Sequence, residues 1–457
     1  MRSAAALGFA ALLALPSLPR AAEPPSRFGV DAPELAPPGS LAVGVKTLRL
    51  VQPDQPLVPA AGAAGPIERR DRVLQVDVWY PAVAEKAGRS QRSRARFANG
   101  GITAARDATA PGIVYEASLP SEPPAPPAHF TIPGIARRDA PALAGVYPLI
   151  IVSHGYSNAT VAMSWLTENL ASKGYVVAAI RHEDPPITDR SQFSSVLLRR
   201  PLDIAFVSGE LQGPLAAQLH LDAQRTALVG YSMGGYGVLT AGGAELDPEG
   251  GVGKIPGGLG LPYVRGGAGQ DQVRVRNLRA VVALAPAGAA SHAWDAQGLR
   301  ALRAPLLLIA GDEDRTVDYR SGALALFEQA VNAPRYLLTF KHAGHAIGLD
   351  PVPEAMRGKL WDLDWFEDPV WRKERITAIE VHFITAFLDR QVKGEESRAA
   401  YLEVAAEDSD AGQWPAARVA GYADFSPGNG EISVWKGFQR NHAAGLSLRH
   451  AAPASIP

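Results

Sequence analysis

The chain has 457 residues, of which 47% are hydrophobic and 20% charged, a composition typical of globular proteins and not of disordered or membrane-embedded chains. Lys and Arg number 45 against 46 Asp and Glu, so no net field exists to hold a phosphate backbone or an anionic membrane, and nucleic acid is not an expected partner. The absence of cysteine removes disulfides, thiolate nucleophiles and cysteine zinc sites together, leaving Ser, Thr, Lys or carboxylates for covalent chemistry.

Residues 1–22 read as a secretory signal: Arg2 gives a charged start, and 4–18 form an apolar run too short to span a bilayer comfortably. The segment is expected to be removed, leaving a periplasmic or secreted protein, with retention as an anchor as the alternative. Pro19-Arg20-Ala21-Ala22 departs from the usual small-residue cleavage pattern and leaves the cut undefined. No later segment approaches about 18 uninterrupted apolar residues, so no membrane span is expected in the mature form. Residues 23–40 form a Pro/Ala-rich leader. A main domain is expected over 41–390, with insertions near 85–142 and 245–278, followed by an extension over 391–457.

Within the main domain, 41–51 and 73–79 alternate in the strand manner and predict an opening β-hairpin. The stretch 85–142, with Arg-rich, Gly-containing and Pro-rich pieces such as 120–127, fits an excursion better than core. From Tyr147 onward, short apolar runs at 148–152, 175–180, 226–229, 280–284, 305–309 and 336–340 are separated by helical lengths. Runs apolar on both faces predict an α/β fold, a mostly parallel central sheet with helices on both sides and ligands at the carboxyl ends of its strands.

Gly250-Gly251-Val252-Gly253-Lys254-Ile255 lacks the spacing of a phosphate-binding loop, and 250–269 reads as a flexible insertion. Trp361, Trp365, Phe366 and Trp371 form either a wall over a site or ordinary packing, ahead of a helix predicted over 373–389. The tail is polar, although Trp435 and Phe438 imply that part of it docks.

The chemistry concentrates at three strand ends. After 226–229 comes Gly230-Tyr231-Ser232-Met233-Gly234-Gly235, a G-x-S-x-G pattern followed by a predicted helix over 236–244. The pattern alone is weakly specific in a chain with 45 glycines, but a strand before it and a helix behind it make Ser232 the candidate nucleophile. A serine alcohol needs a base in hydrogen-bond reach and an acid to orient that base. The run 305–309 leads to Gly311-Asp312-Glu313-Asp314, and 336–340 leads to Lys341-His342-Ala343-Gly344-His345, so nucleophile, acid and histidine follow in that order. The Met233 backbone N–H is the first candidate donor for a developing oxyanion.

Over 41–390 these motifs make the chain similar to α/β hydrolases of the predicted dienelactone hydrolase and platelet-activating-factor acetylhydrolase group, which bacterial polyester hydrolases also resemble. The resemblance implies that the acid is Asp314, with Asp312 its rival, and that the base is His345. It also implies that Ser153-His154-Gly155-Tyr156-Ser157 is an oxyanion loop, with the Tyr156 N–H as second donor, Ser157 as its neighbouring alternative and the Tyr156 ring as a pocket wall. The activity it implies is a two-step hydrolysis of small or polymeric carboxylic esters through an acyl-enzyme, with no cofactor. His342, close to His345, has no cysteine or H-E-x-x-H partner, and zinc is not expected. His182-Glu183-Asp184 falls on the functional edge of the sheet and reads as a structural polar cluster. Two other classes of function stay open on sequence: peptide cleavage or acyl transfer on the same fold, and a catalytically silent binding protein.

Overall fold

The structure, a computed structural model, describes residues 28–59, 65–84, 112–119, 128–185, 189–352, 366–412, 435–439 and 441–454. The signal segment, the Pro-rich piece 120–127, Trp361 and Trp365 lie outside the described residues. The strands are β1 (Ala42–Pro56), β2 (Arg69–Ala82), β3 (Val114–Leu119), β4 (Ala128–Pro133), β5 (Arg137–Arg138) and β6 (Tyr147–Ser153), then β7 (Val176–Arg181), β8 (Leu221–Tyr231), β9 (Leu278–Leu284), β10 (Leu306–Gly311), β11 (Arg335–Phe340) and β12 (Leu446–Ala451). The principal helices are α1 (Ser164–Ser172), α2 (Phe193–Gln212), α3 (Met233–Ala241), α4 (Ala296–Arg300), α5 (Ala325–Gln329) and α6 (Lys373–Leu388).

Among the described residues ten strands form one sheet, in the order β12-β11-β10-β9-β8-β6-β7-β2-β1-β5. Strands β7, β6, β8, β9, β10 and β11 are joined by parallel pairings; β2 and β12 run antiparallel to their inner neighbours. The predicted α/β architecture is therefore the observed one, and the opening hairpin is β1 paired with β2. All six apolar runs lie in the parallel strands, and their two-faced burial explains why: in β6, Ile150 and Val152 pack into one layer while Leu149 and Ile151 pack into the other. Helices α1 and α6 cover the first layer through Leu166, Leu170, Ile379 and Phe383; α2 and α3 cover the second through Ile204, Val207, Val238 and Leu239. Each such side chain contributes about 1.5–3 kcal/mol on burial.

One segment differs from expectation, and a second docks as its aromatic residues imply. The Gly-rich stretch read as a flexible insertion is folded: Val252, Ile255, Val264 and Val273 are buried against Leu197, Leu202 and Tyr236, making a third apolar cluster beside α2. The extension after 391 adds β12 to the sheet edge, and Trp435 and Phe438 are buried among α6 side chains. Of the stretch 85–142, the described part includes a hairpin of β3 and β4 outside the main sheet, whose Tyr115 hydroxyl accepts from Trp79 Nε1 and donates to buried Glu168, both at 2.7 Å.

Strand β6 pairs with β7 on one side and β8 on the other, so the chain reverses its direction of travel across the sheet between them. The carboxyl ends of strands at such a reversal are the usual ligand position in an open α/β sheet.

Candidate active site

Ser232 occupies the bend between β8 and α3 at φ 53° and ψ −115°, a conformation rare for a residue with a Cβ. Such strain costs about 1–3 kcal/mol and persists only where surroundings enforce it. Here the Ser232 N–H donates to the Leu284 carbonyl at 2.9 Å, and its own carbonyl accepts from Ala287 at 3.0 Å and Tyr236 at 3.1 Å. The flanking glycines make the bend possible: a Cβ on Gly230 would lie 2.2 Å from the Gly234 carbonyl oxygen, and one on Gly234 would lie 1.8 Å from that of Ser153. Both obstacles are backbone, so Gly234→Ala is expected to cost more than about 3 kcal/mol. A denaturation midpoint equal to that of the parent protein would contradict this packing.

His345 follows β11 and turns back over the elbow. Its Nε2 lies 3.0 Å from Ser232 Oγ, and its Nδ1 lies 2.8 Å from Asp314 Oδ2. Ser232, His345 and Asp314 are 8%, 6% and 3% exposed, so this line of hydrogen bonds is largely screened from water. The other Asp314 oxygen accepts from the backbone N–H groups of Thr316 at 2.9 Å and Val317 at 3.1 Å, which fixes the carboxylate plane. Asp312 is placed differently: its Oδ1 accepts from the His342 N–H at 2.5 Å, holding a turn in which His342 has φ 61° and an exposed ring. Asp312, Glu313 and His342 bring ligand-type atoms within 4.8 Å of one another, but the group is exposed or half-buried and has the character of a solvated acidic turn.

The histidine loop is braced from behind. The Tyr231 ring lies 5.3 Å from the His345 ring, and its hydroxyl donates to the His345 carbonyl at 3.0 Å. Asp368 accepts from the Gly344 N–H at 2.7 Å, and Trp371 Nε1 donates to the Lys341 carbonyl at 2.8 Å. Of the aromatic group read as a wall or as packing, Trp371 therefore supports the loop and Phe366 is buried in the core.

Met233 opens α3, where backbone N–H groups have no helical acceptor and the helix dipole is positive. The loop after β6 passes beside Ser232: a Cβ on Gly155 would sit 3.5 Å from that of the serine. Within the loop the Ser157 N–H already donates to Asp184 Oδ2 at 3.0 Å, which commits the alternative donor elsewhere. The half-buried Tyr156 directs its hydroxyl to the Asp189 carbonyl at 2.9 Å and packs edge-on against Phe193.

Beneath this loop lies a buried polar network that sequence reasoning finds only in part. The polar cluster of His182 and Asp184 belongs to it; Arg72, Arg200 and Asp203 escape a reading by motif. Ser153 Oγ lies 2.9 Å from His182 Nε2, His182 Nδ1 lies 2.9 Å from Asp203 Oδ2, and Arg72 grips Asp203 with two bonds of 2.7 Å. Burial, reinforced by Arg200, holds His182 down at about 4 and His154 well below the ordinary histidine value, so both rings are neutral at pH 7. Burial raises Asp203, but Arg72 and His182 outweigh it and keep the carboxyl below its ordinary value. The signal in the sequence is Arg200 on the stripe Leu197, Ile204, Val207 and Leu211, a charge set at helical spacing on an apolar face.

A family model described as PET hydrolase-like matches residues 140–251, which contain both the loop after β6 and the elbow. Cutinases est2 and est1 of Thermobifida alba are 33% and 32% identical over 93 residues, 20% of this chain and 29% of each relative. The chain thus matches less than a third of the length of these curated relatives. A ferulic acid esterase from Streptomyces cinnamoneus shares the fold at a TM-score of 0.50 and 22% identity, covering 80% of this chain and 94% of that one. The topology and this structural likeness give the chain an α/β-hydrolase fold, and its sequence matches are to a PET hydrolase-like model and to cutinases. Among the described residues no helix is long and apolar enough to cross a membrane.

Proposed function

We propose that the chain is an exported serine hydrolase that cleaves carboxylic esters through an acyl-enzyme, with Ser232 as nucleophile, His345 as base and Asp314 as the orienting acid. The observation that carries this reading is the continuous line Ser232 Oγ–His345 Nε2, His345 Nδ1–Asp314 Oδ2, at 3.0 and 2.8 Å, with the serine held on a strained elbow. Ser232 Oγ bonds to the ester carbonyl carbon while His345 Nε2 takes its proton, and Asp314 stabilises the imidazolium. The carbonyl oxygen becomes an oxyanion and accepts from the Met233 and Tyr156 N–H groups. As the carbonyl reforms, the bond to the alcohol oxygen breaks and His345 returns the proton to it. Water then attacks the acyl-serine with the same proton traffic and releases the acid. The residues named supply every proton and donor required, so the cycle is complete without a cofactor.

Support for ester chemistry also comes from the cutinases and the ferulic acid esterase that the chain resembles. The test is a hydrolysis panel of p-nitrophenyl esters of graded acyl length and aromatic diesters, with matched amides. Turnover of esters with little on the amides is expected; preference for amides, or turnover of neither, overturns the reading. Export rests on the apolar run within residues 1–22; recovery of the protein outside the cytoplasm with a mature N-terminus beyond that run is expected, whereas recovery from the cytoplasm with Met1 retained contradicts it.

A further inference from the structure

The loop that carries Tyr156 hangs from one buried arginine. Arg200 projects from α2 and is fully buried at 0% exposure. Its Nη1 donates to the His154 carbonyl and, at 3.2 Å, to Ser153 Oγ; its Nη2 donates to the Gly155 carbonyl at 3.0 Å and to Asp184. The Gly155 oxygen takes a second bond of 2.7 Å from His154 Nδ1, whose tautomer is set because His154 Nε2 accepts from the His182 N–H at 3.3 Å. Two donors occupy both lone pairs of that oxygen. A peptide unit is planar and trans, so the Gly155 C=O and the Tyr156 N–H point in opposite directions. Drawing the carbonyl toward α2 therefore aims the Tyr156 N–H away from α2, while Gly155 itself lies against Ser232.

The next peptide is held by the same pair, because Asp184 accepts both from Arg200 and from the Ser157 N–H. The base of the clamp is firm. Pro201, inside α2, has no N–H to offer the Leu197 carbonyl, and the Tyr236 hydroxyl of α3 donates to that carbonyl at 2.8 Å, tying α2 to the helix that Ser232 caps. Ser153, His182 and Asp203 repeat the order of a serine triad, but with side chains closed off from solvent they act as a relay that fixes Ser153 under Arg200.

We propose that Arg200 is a positioning residue for ester hydrolysis, fixing the Gly155–Tyr156 peptide so that the Tyr156 N–H is preset as an oxyanion donor. This rests on the serine hydrolase reading above. A preset donor stabilises charge that exists only in the transition state, so its loss lowers kcat and leaves KM nearly unchanged. Arg200→Lys keeps the positive charge beside Asp184 but replaces the planar fork with one ammonium that cannot serve both carbonyls in the same geometry.

The experiment measures kcat and KM of wild type, Arg200→Lys and Ser232→Ala on p-nitrophenyl butyrate, with inhibition by butylboronic acid, whose boronate oxygen occupies the oxyanion position. For Arg200→Lys, kcat is expected to fall roughly 10²- to 10³-fold with KM within about three-fold, and the inhibition constant to rise with the fall in kcat/KM. Should Arg200→Lys fail to fold, His154→Phe takes its place: it keeps a ring and removes the second donor to Gly155, and a loss of about ten-fold or more in kcat at constant KM is expected. A folded variant with wild-type kcat and inhibition overturns the role of Arg200. Activity retained by Ser232→Ala overturns the hydrolase reading itself, and this proposal with it.

Discussion

Replacing Ser232 by Ala is expected to lower kcat on a p-nitrophenyl ester by a factor on the order of 10⁴ to 10⁶, with KM and thermal midpoint close to those of the parent. The size follows from the division of labour at the elbow. On the proposed mechanism, removing the alcohol abolishes the acyl-enzyme and leaves His345 only general-base activation of water, while the N–H groups near the elbow still hold the substrate carbonyl. The variant should fold because the bend is enforced by backbone bonds from Ser232 to Leu284, Ala287 and Tyr236, none of which involves the hydroxyl. Alanine must tolerate the same positive φ that serine does, so no new strain arises. A variant that keeps one tenth of the activity would remove Ser232 from the mechanism.

Asp314→Asn is expected to lower kcat roughly 10³- to 10⁴-fold, whereas Asp312→Asn should stay within a few-fold of wild type. The backbone bonds decide the first result. Thr316 and Val317 donate to Asp314 Oδ1, so the asparagine at this position keeps its oxygen on that side and presents its amide nitrogen to His345 Nδ1. An amide donor there forces the ring proton onto Nε2, which then faces Ser232 Oγ as a donor and cannot accept the alcohol proton. Asp312 only accepts the His342 N–H, a bond that an asparagine oxygen can still accept. Steady-state kinetics on both variants, with circular dichroism to verify folding, checks the contrast; comparable losses in the two would contradict it.

Much of this architecture is legible in the residues because buried parallel strands are apolar on both faces. Runs such as 148–152 and 280–284 stand out between polar helical lengths, and the serine, acidic and histidine motifs each follow such a run. The elbow is legible for steric reasons, since only glycine fits at position 234, where a Cβ would meet the Ser153 carbonyl oxygen at 1.8 Å. What stays hidden depends on contacts distant in sequence. Strand β12 alternates buried Leu446 and Leu448 with polar neighbours, and only its pairing with β11 makes it part of the sheet. Val252, Ile255, Val264 and Val273 are scattered among glycines with no helical or strand period, so their burial against α2 leaves no pattern to read. The choice between Asp312 and Asp314 turns on which carboxylate faces the ring, a matter of loop geometry. Arg200 and Asp203 matter through partners in β2, β6 and the loop after β7, elements whose adjacency only the folded sheet creates.

If one serine, raised on the bend after β8, is chemically activated by the histidine beside it, that serine should react selectively with a phosphorus electrophile. Labelling the intact protein with a fluorophosphonate and locating the adduct by peptide mass spectrometry tests this directly. A single covalent adduct on Ser232, lost in both Ser232→Ala and His345→Ala, is the expected result; an unlabelled protein, or label at any other serine with Ser232 unmodified, would contradict it.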